Sequence, residues 1–173
     1  DNADELHALR TSALNQPDSH SGYEVRSHLH NSQRPKALET ANPRSDRCRR
    51  VIQTLTDTIQ VPTLRLNTIA RYSPTLRTDW LINLERLPKS LAQDWIESAD
   101  YWATRPSALG DLMSDWSLEL VATMQEQDVP IGAGTDTPIA QAIPGYSLHT
   151  ELERLVDAGL TEQSVSPART IRA

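Results

Sequence analysis

Val129-Pro-Ile-Gly-Ala-Gly-Thr-Asp136, followed directly by Thr137-Pro138, is the stretch on which the fold reading turns. Small residues rise to a carboxylate, just after a helical period that stops at Asp128-Val129-Pro130, so the run reads as a strand ending in an acid. The helical period before it is the strongest in the chain. Leu109, Leu112, Met113, Trp116, Leu120 and Met124 recur at helical spacing, opposite Asp111, Asp115, Glu119 and Glu126. After it, Pro144-Gly145-Tyr146 turns the chain into a predicted helix over 147–158, with Leu148, Leu152, Leu155 and Val156 inward. Gly159 is placed to close that helix as the left-handed residue past its end, and Thr161 to cap one more, which Pro167 interrupts.

Upstream, Cys48, Val51, Ile52, Leu55 and Ile59 form the apolar face of a helix capped by Ser45 or Asp46 and ending before Val61-Pro62. Val61 to Leu66 is β-rich, with Pro62 at its start where a missing N–H is tolerated, and predicts a strand. Residues 67–90 are a mixed connection. Leu91, Trp95, Ile96 and Ala99 then carry another helical period, which Pro106 ends. Helix, strand, helices, strand, helix, helix is α/β order. A parallel sheet must be covered on both faces and two or three strands cannot make one, so the pattern predicts part of a larger barrel or wound sheet.

Residues 1–45 are polar and broken by Pro17, Pro35 and Pro43, and they predict a weakly structured segment. Leu6, Leu9, Ala13 and Leu14 are compatible with a short helix there, and Tyr23 to Arg26 with a brief strand leading into His28 and His30. The whole chain has 173 residues, net charge -6, four Trp, four Tyr and no Phe, so its core must lean on Leu, Ile, Val and Trp. The scattered 17 Lys and Arg give no basic stripe for a phosphate backbone, and nucleic acid is not an expected partner. No run approaches ~18 apolar residues, and the start Asp-Asn-Ala-Asp-Glu has neither a basic nor an apolar leader region, so neither a membrane span nor an export signal is expected. Cys48 stands alone, which excludes an intrachain disulfide, and it reads as a small core residue. Trp80, Trp95, Trp102 and Trp116 likewise read as core rather than as a platform for substrate.

Val129 to Asp136 together with Pro144-Gly-Tyr-Ser-Leu-His-Thr-Glu-Leu-Glu-Arg-Leu-Val-Asp-Ala-Gly-Leu-Thr161 resembles the end of the barrel in the metal-dependent amidohydrolase superfamily. The likeness is closest to its imidazolonepropionase-like and prolidase-like branch. There a last strand ends in Gly-Thr-Asp and a loop leads to a helix with this pattern. Val61-Pro-Thr-Leu64 and Leu87-Pro88 resemble the preceding strand and connection of that branch. The resemblance spans about residues 24–170, weakening toward the N-terminus. It implies an α/β fold, an incomplete C-terminal portion of a (β/α)8 TIM-like barrel, whose site lies at the C-terminal ends of the strands. Residues 46–173 would then hold strands 7 and 8 with the following helices, and residues 1–45 a remnant of strands 5 and 6.

The same resemblance implies a hydrolase of carbon-nitrogen bonds, in amides, cyclic amides or Xaa-Pro dipeptides. One or two divalent ions, zinc foremost, would activate water, with Asp136 as both metal ligand and proton acceptor. His28, aligned with the sixth-strand histidine of the family, would be a second ligand, and His30 an alternative one. His149, Glu151 and Thr135 would support the site, whereas from the residues alone His149 and Glu151 read as a solvated first helix turn. His28-Leu29-His30 also matches the family's first-strand His-x-His, but too few residues separate it from Asp136 for most of a barrel to lie between. From the residues alone, the two histidines read equally as exposed side chains of a polar loop, and Asp136 as the cap of an Asp-Thr-Pro turn. His7 has the spacing of the family's fifth-strand histidine but none of its surroundings. The family's other ligands are expected upstream of Asp1, making this chain the C-terminal part of such an enzyme, acting on a small amide or dipeptide. The alternative is a non-catalytic half-barrel or interaction module without metal, self-associating through open sheet edges.

Overall fold

The computed structural model describes residues 4, 7, 8, 11, 12, 15, 37–103 and 108–161, with backbone alone at 102, 103, 108 and 109. The described residues form helices α1 (Asp46–Gln53), α2 (Leu64–Asn67), α3 (Thr78–Leu84), α4 (Lys89–Ala103), α5 (Ala108–Glu126) and α6 (Ser147–Asp157). Short 3-10 turns lie at Pro74–Leu76 and Ile139–Gln141. None of these helices is long and apolar enough to cross a membrane.

Helix α1 starts where the capping signal placed it: Ser45 Oγ accepts the Cys48 N–H at 3.2 Å. It stops at Gln53, short of the predicted Ile59. The Thr54 hydroxyl donates to Val51 O at 2.7 Å and that of Thr56 to Gln53 O at 3.1 Å, so these side chains satisfy carbonyls at the helix end and the chain continues in turns. Ile52 is buried, while Val51 and Ile59 are more than half exposed. Cys48 is half-buried, and that burial pushes its thiol pKa up.

Helix α5 is buried on the face of Ser114, Ser117 and Val121, beside the stripe of its large residues, while Thr123 is buried on the side of that stripe, one heptad from Trp116. Ser114, Ser117, Val121 and Thr123 are its buried residues, and the three hydroxyls donate to the carbonyls of Gly110, Met113 and Glu119 at 2.7–2.8 Å. Met113, Trp116, Leu120 and Met124 are half-buried and line a cavity of about 150 Å³ beside Gln60 and Pro62.

Two apolar clusters hold the helices together. Leu64, Val121, Leu155, Ala158 and Leu160 form one, with Leu118, Ile131, Ala133 and Leu152 packed against it. Trp80, Leu84 and Ile143 form the other, joined by Leu87, Trp95, Ile96 and Tyr146. Trp80 is core, as its composition argument required, and donates from Nε1 to Gln141 O at 3.2 Å. Trp116 ties the chain before α1 to α5 by donating to Ala41 O at 3.0 Å.

The expected α/β barrel portion is not formed by the described residues. The described residues are mostly helical, with no sheet or barrel. The second predicted strand is paired at one place, with the residue just before the first: a parallel bridge between Gln60 and Ile131, in which Gln60 N donates to Pro130 O and Gly132 N to Gln60 O, each at 2.8 Å. The reason lies just after Gln60. Pro62 has no N–H for a ladder, Thr63 adopts a left-handed φ of 51°, and the N–H groups of Leu64 and Arg65 are taken by the Glu151 carboxylate. Residues 64–67 therefore wind into α2 where a strand was expected. Strands 7 and 8 of a barrel, and the open sheet edges that went with them, are absent from the described residues.

Candidate functional site

Asp136 stands at the end of the extended segment that begins at Val129. The Gln60–Ile131 pairing fixes the start of that segment, and its glycines keep it close to the chain beneath. A Cβ on Gly132 would lie 3.2 Å from Ile59 Cγ2, and one on Gly134 would overlap Val61 Cγ1. The backbone then leaves the extended region: Asp136 takes φ 51°, and Ala140 and Gln141 take 49° and 57°. Aspartate adopts this conformation more readily than most residues, whereas alanine and glutamine resist it. The Thr135 and Thr137 hydroxyls share a 2.7 Å hydrogen bond across Asp136, and Ile139 N donates to Asp136 O at 2.9 Å.

A buried arginine holds this turn. Arg65, 6% exposed, donates from Nη1 to Thr135 O and Ile139 O, both at 2.9 Å, and from Nη2 to Ala140 O at 2.6 Å. Bonds from a charged donor contribute about 1.5–3 kcal/mol each. Left-handed backbone costs about 1–2 kcal/mol at each of Ala140 and Gln141. Three such bonds outweigh two such residues, so the turn persists.

Arg65 is itself held by Glu151, which is fully buried on α6. Its Oε1 accepts the Leu64 N–H at 3.0 Å and its Oε2 the Arg65 N–H at 2.7 Å. Burial raises the Glu151 pKa, against the opposing pull of the two N–H donors and the Arg65 charge. Burial likewise lowers the pKa of Arg65, while the charges of Glu151 and Asp136 oppose that shift. Asp136 thus lies within the electrostatic reach of Arg65 although no hydrogen bond joins their side chains.

Of the residues singled out from sequence, Thr135 and Asp136 share this turn. Asp136 is exposed, and among the described residues no hydrogen bond or ion pair engages its carboxylate. His149 is exposed in the first turn of α6, and His28 and His30 lie outside the described residues. His7 is described and exposed, remote in sequence from the turn. The Asp136 carboxylate supplies at most one ligand to a divalent cation, and the Arg65 charge already acts on it. Among the described residues no three His, Cys, Asp or Glu side chains come together around it. Compared with models of known families, with characterised proteins and with solved structures, the chain finds no match.

Sequence reasoning passed over Arg65 and read Glu151 as a helix-start residue, either supporting or solvated. A signal for both existed. Arg65 interrupts the apolar run Val61 to Leu66, and Glu151 lies four residues from the buried Leu155 on α6, where Leu148 and Val156, also expected inward, are exposed. A charge on an apolar face requires a partner, and these two residues are within one network.

Proposed function

We propose that this chain contributes Asp136 to the metal site of a hydrolase that cleaves carbon-nitrogen bonds in small amides, cyclic amides or Xaa-Pro dipeptides. The observation that carries the reading is the Asp136 turn: an exposed, unengaged carboxylate at the end of an extended segment, on backbone held by a buried arginine. The resemblance of Val129 to Thr161 to the amidohydrolase pattern supports the same assignment and supplies the reaction class. Zinc is the ion that best suits a mixed carboxylate and imidazole set, and when bound it supplies a water acidic enough to attack near neutral pH. Asp136 holds the metal and accepts a proton. Thr135 and His149 support the turn and the start of α6, and His28, or else His30, is the ligand to pair with Asp136.

The test is hydrolysis of a panel of Xaa-Pro dipeptides and cyclic amides in the presence of zinc. Removing a positioned acid-base group costs about 10²-fold or more in kcat/KM. Asp136→Asn is expected to lose at least that much on any substrate turned over, and an unchanged rate contradicts the assignment.

A second reading has its own observation. Ile59 and Val61 flank the Gln60 pairing and are 51% and 54% exposed, which suits a non-catalytic interaction module that self-associates there. A chain of this kind forms dimers or larger species that Val61→Lys disperses, and it takes up no zinc.

A further inference from the structure

The cavity beside α5 lies between two walls, each held from elsewhere in the chain. On one side, Gln60 is bonded to Pro130 and Gly132, and the Leu64 N–H to Glu151. On the other, the Trp116 indole is anchored to Ala41 O at 3.0 Å and the Ser117 hydroxyl to Met113 O at 2.7 Å. Neither wall can close on the other, so a gap of about 150 Å³ persists where a protein interior is normally close-packed. The gap is long and narrow. Met113 and Met124, the only methionines of the chain, both line it, and they lie about 16 Å apart along α5. Arg71, shortly after α2, pairs with Asp115, which sets Asn67 toward the Met113 end. Gln60, bonded just past α5, stands toward the Met124 end. Between them the lining is apolar, with Pro62 and Leu64 facing Trp116 and Leu120.

In compact form such a volume holds a benzene ring; drawn out over that length it holds an unbranched aliphatic chain. The thioethers at its two ends are flexible and polarizable, and they adapt to such a chain. The hydrogen-bonding groups of the lining narrow the ligand further. Trp116 and Ser117 have one donor each, and both are spent on backbone carbonyls. Asn67 Nδ2 donates to Pro62 O at 2.9 Å, and among the described residues no hydrogen bond engages its Oδ1. That oxygen can only accept, so the head group it meets must donate. Asp111 and Asp115, exposed on the neighbouring stretch of α5, disfavour a carboxylate there. We propose that this slot binds a straight-chain aliphatic alcohol, its chain laid along Trp116 and Leu120 and its hydroxyl donating to Asn67 Oδ1. The site shares no residue with the Asp136 turn and does not depend on the reading of Asp136.

The experiment uses the full chain labelled at its methionine methyl groups, whose two NMR resonances report from the two ends of the slot. 1-Octanol is expected to shift both resonances to saturation, with a Kd of about 1 mM or tighter. Affinity should rise about fourfold per methylene from 1-hexanol to 1-octanol, as buried chain is added. Cyclohexanol, with as many carbons as 1-hexanol, should bind about tenfold more weakly because it is too wide, and octanoate should be weaker than 1-octanol by a similar factor. Asn67→Ala is expected to cost about fivefold for 1-octanol. Leu120→Trp, which fills the middle of the slot, should abolish the shifts; if it does not fold, the chain-length series and the cyclohexanol comparison decide. The proposal is overturned if 1-octanol gives no saturable shift or moves one methyl alone. Equal binding of cyclohexanol and 1-hexanol, tighter binding of octanoate, or an unchanged affinity in Asn67→Ala would also overturn it. So would resonances that move on dilution without any alcohol, since a second copy of the chain would then occupy the slot.

Discussion

Arg65 and Arg77 both bind distant parts of the chain, one inside the molecule and one at its surface. Arg65 uses three backbone carbonyls. Arg77 uses side chains: both oxygens of Asp79 at 3.1 and 2.8 Å, the carboxylate of Glu153, and the Tyr146 hydroxyl at 3.1 Å. The bonds to Asp79, foremost, raise the Arg77 pKa further, and Arg77 in turn holds Asp79 down at about 2. The side chains of Asp79 and Glu153 are 50% and 41% exposed, so water can replace any partner that is lost. Arg65 has no such substitute. A longer list of ion pairs therefore marks the less important arginine, because burial and not the number of bonds sets the cost of losing them.

The largest effect should come from breaking the buried side of this comparison. Glu151→Ala leaves the Leu64 and Arg65 N–H groups without an acceptor and removes one of the two carboxylate charges that act on the guanidinium. It is expected to cost about 3–5 kcal/mol in urea unfolding; a loss below about 1 kcal/mol would place Glu151 among surface residues. Gly134→Ala strikes the same region through shape. Its Cβ overlaps Val61 Cγ1, so a loss of about 1–3 kcal/mol is expected, and Val61→Ala in the same chain should restore part of it. Additive losses in the double variant would show that the two sites do not touch.

At the surface, Arg77→Met should cost only about 0.2–1 kcal/mol, with a smaller difference at high salt. A cost equal to that of Glu151→Ala would erase the distinction. The smallest effects are in pH dependence, and their signs differ. Asp79 has a lowered pKa, so its contribution is present above about 3.8 and is lost as pH falls toward 2. Glu151 has a raised pKa, so its contribution is full below about 4.5 and is lost as pH rises through its folded value. Asp79→Asn should flatten the acid side of the stability profile and Glu151→Gln the side above it. The same slope change from both would contradict the opposite environments assigned to them.

How much of this was legible depended on whether a residue's partners were local. The Ser45 cap, the start of α1, helices α5 and α6 and the left-handed Gly159 follow from neighbours within a few positions, and the structure has them all. Val61 to Leu66 was misread because its fate is set by Glu151, 86 and 87 positions beyond the N–H groups it takes. No local pattern announces that a distant carboxylate will wind a β-rich run into a helical turn. Large apolar residues also misled on α5, where Ser114, Ser117 and Thr123 are buried while Met113, Trp116, Leu120 and Met124 stay half-buried. At the site, Asp136 was legible as an acid closing an extended run. The arginine that holds its turn was marked only as a charge interrupting an apolar run, and its partners were not marked at all, since they are backbone carbonyls, which leave no trace in residue identity.

The measurement that bears most directly on the account is zinc content per chain after gel filtration, for the wild type and for Asp136→Asn. The account predicts close to one equivalent in the wild type and its loss in the variant. Zinc absent from both, or retained equally by both, would contradict the assignment of Asp136 as a metal-binding carboxylate.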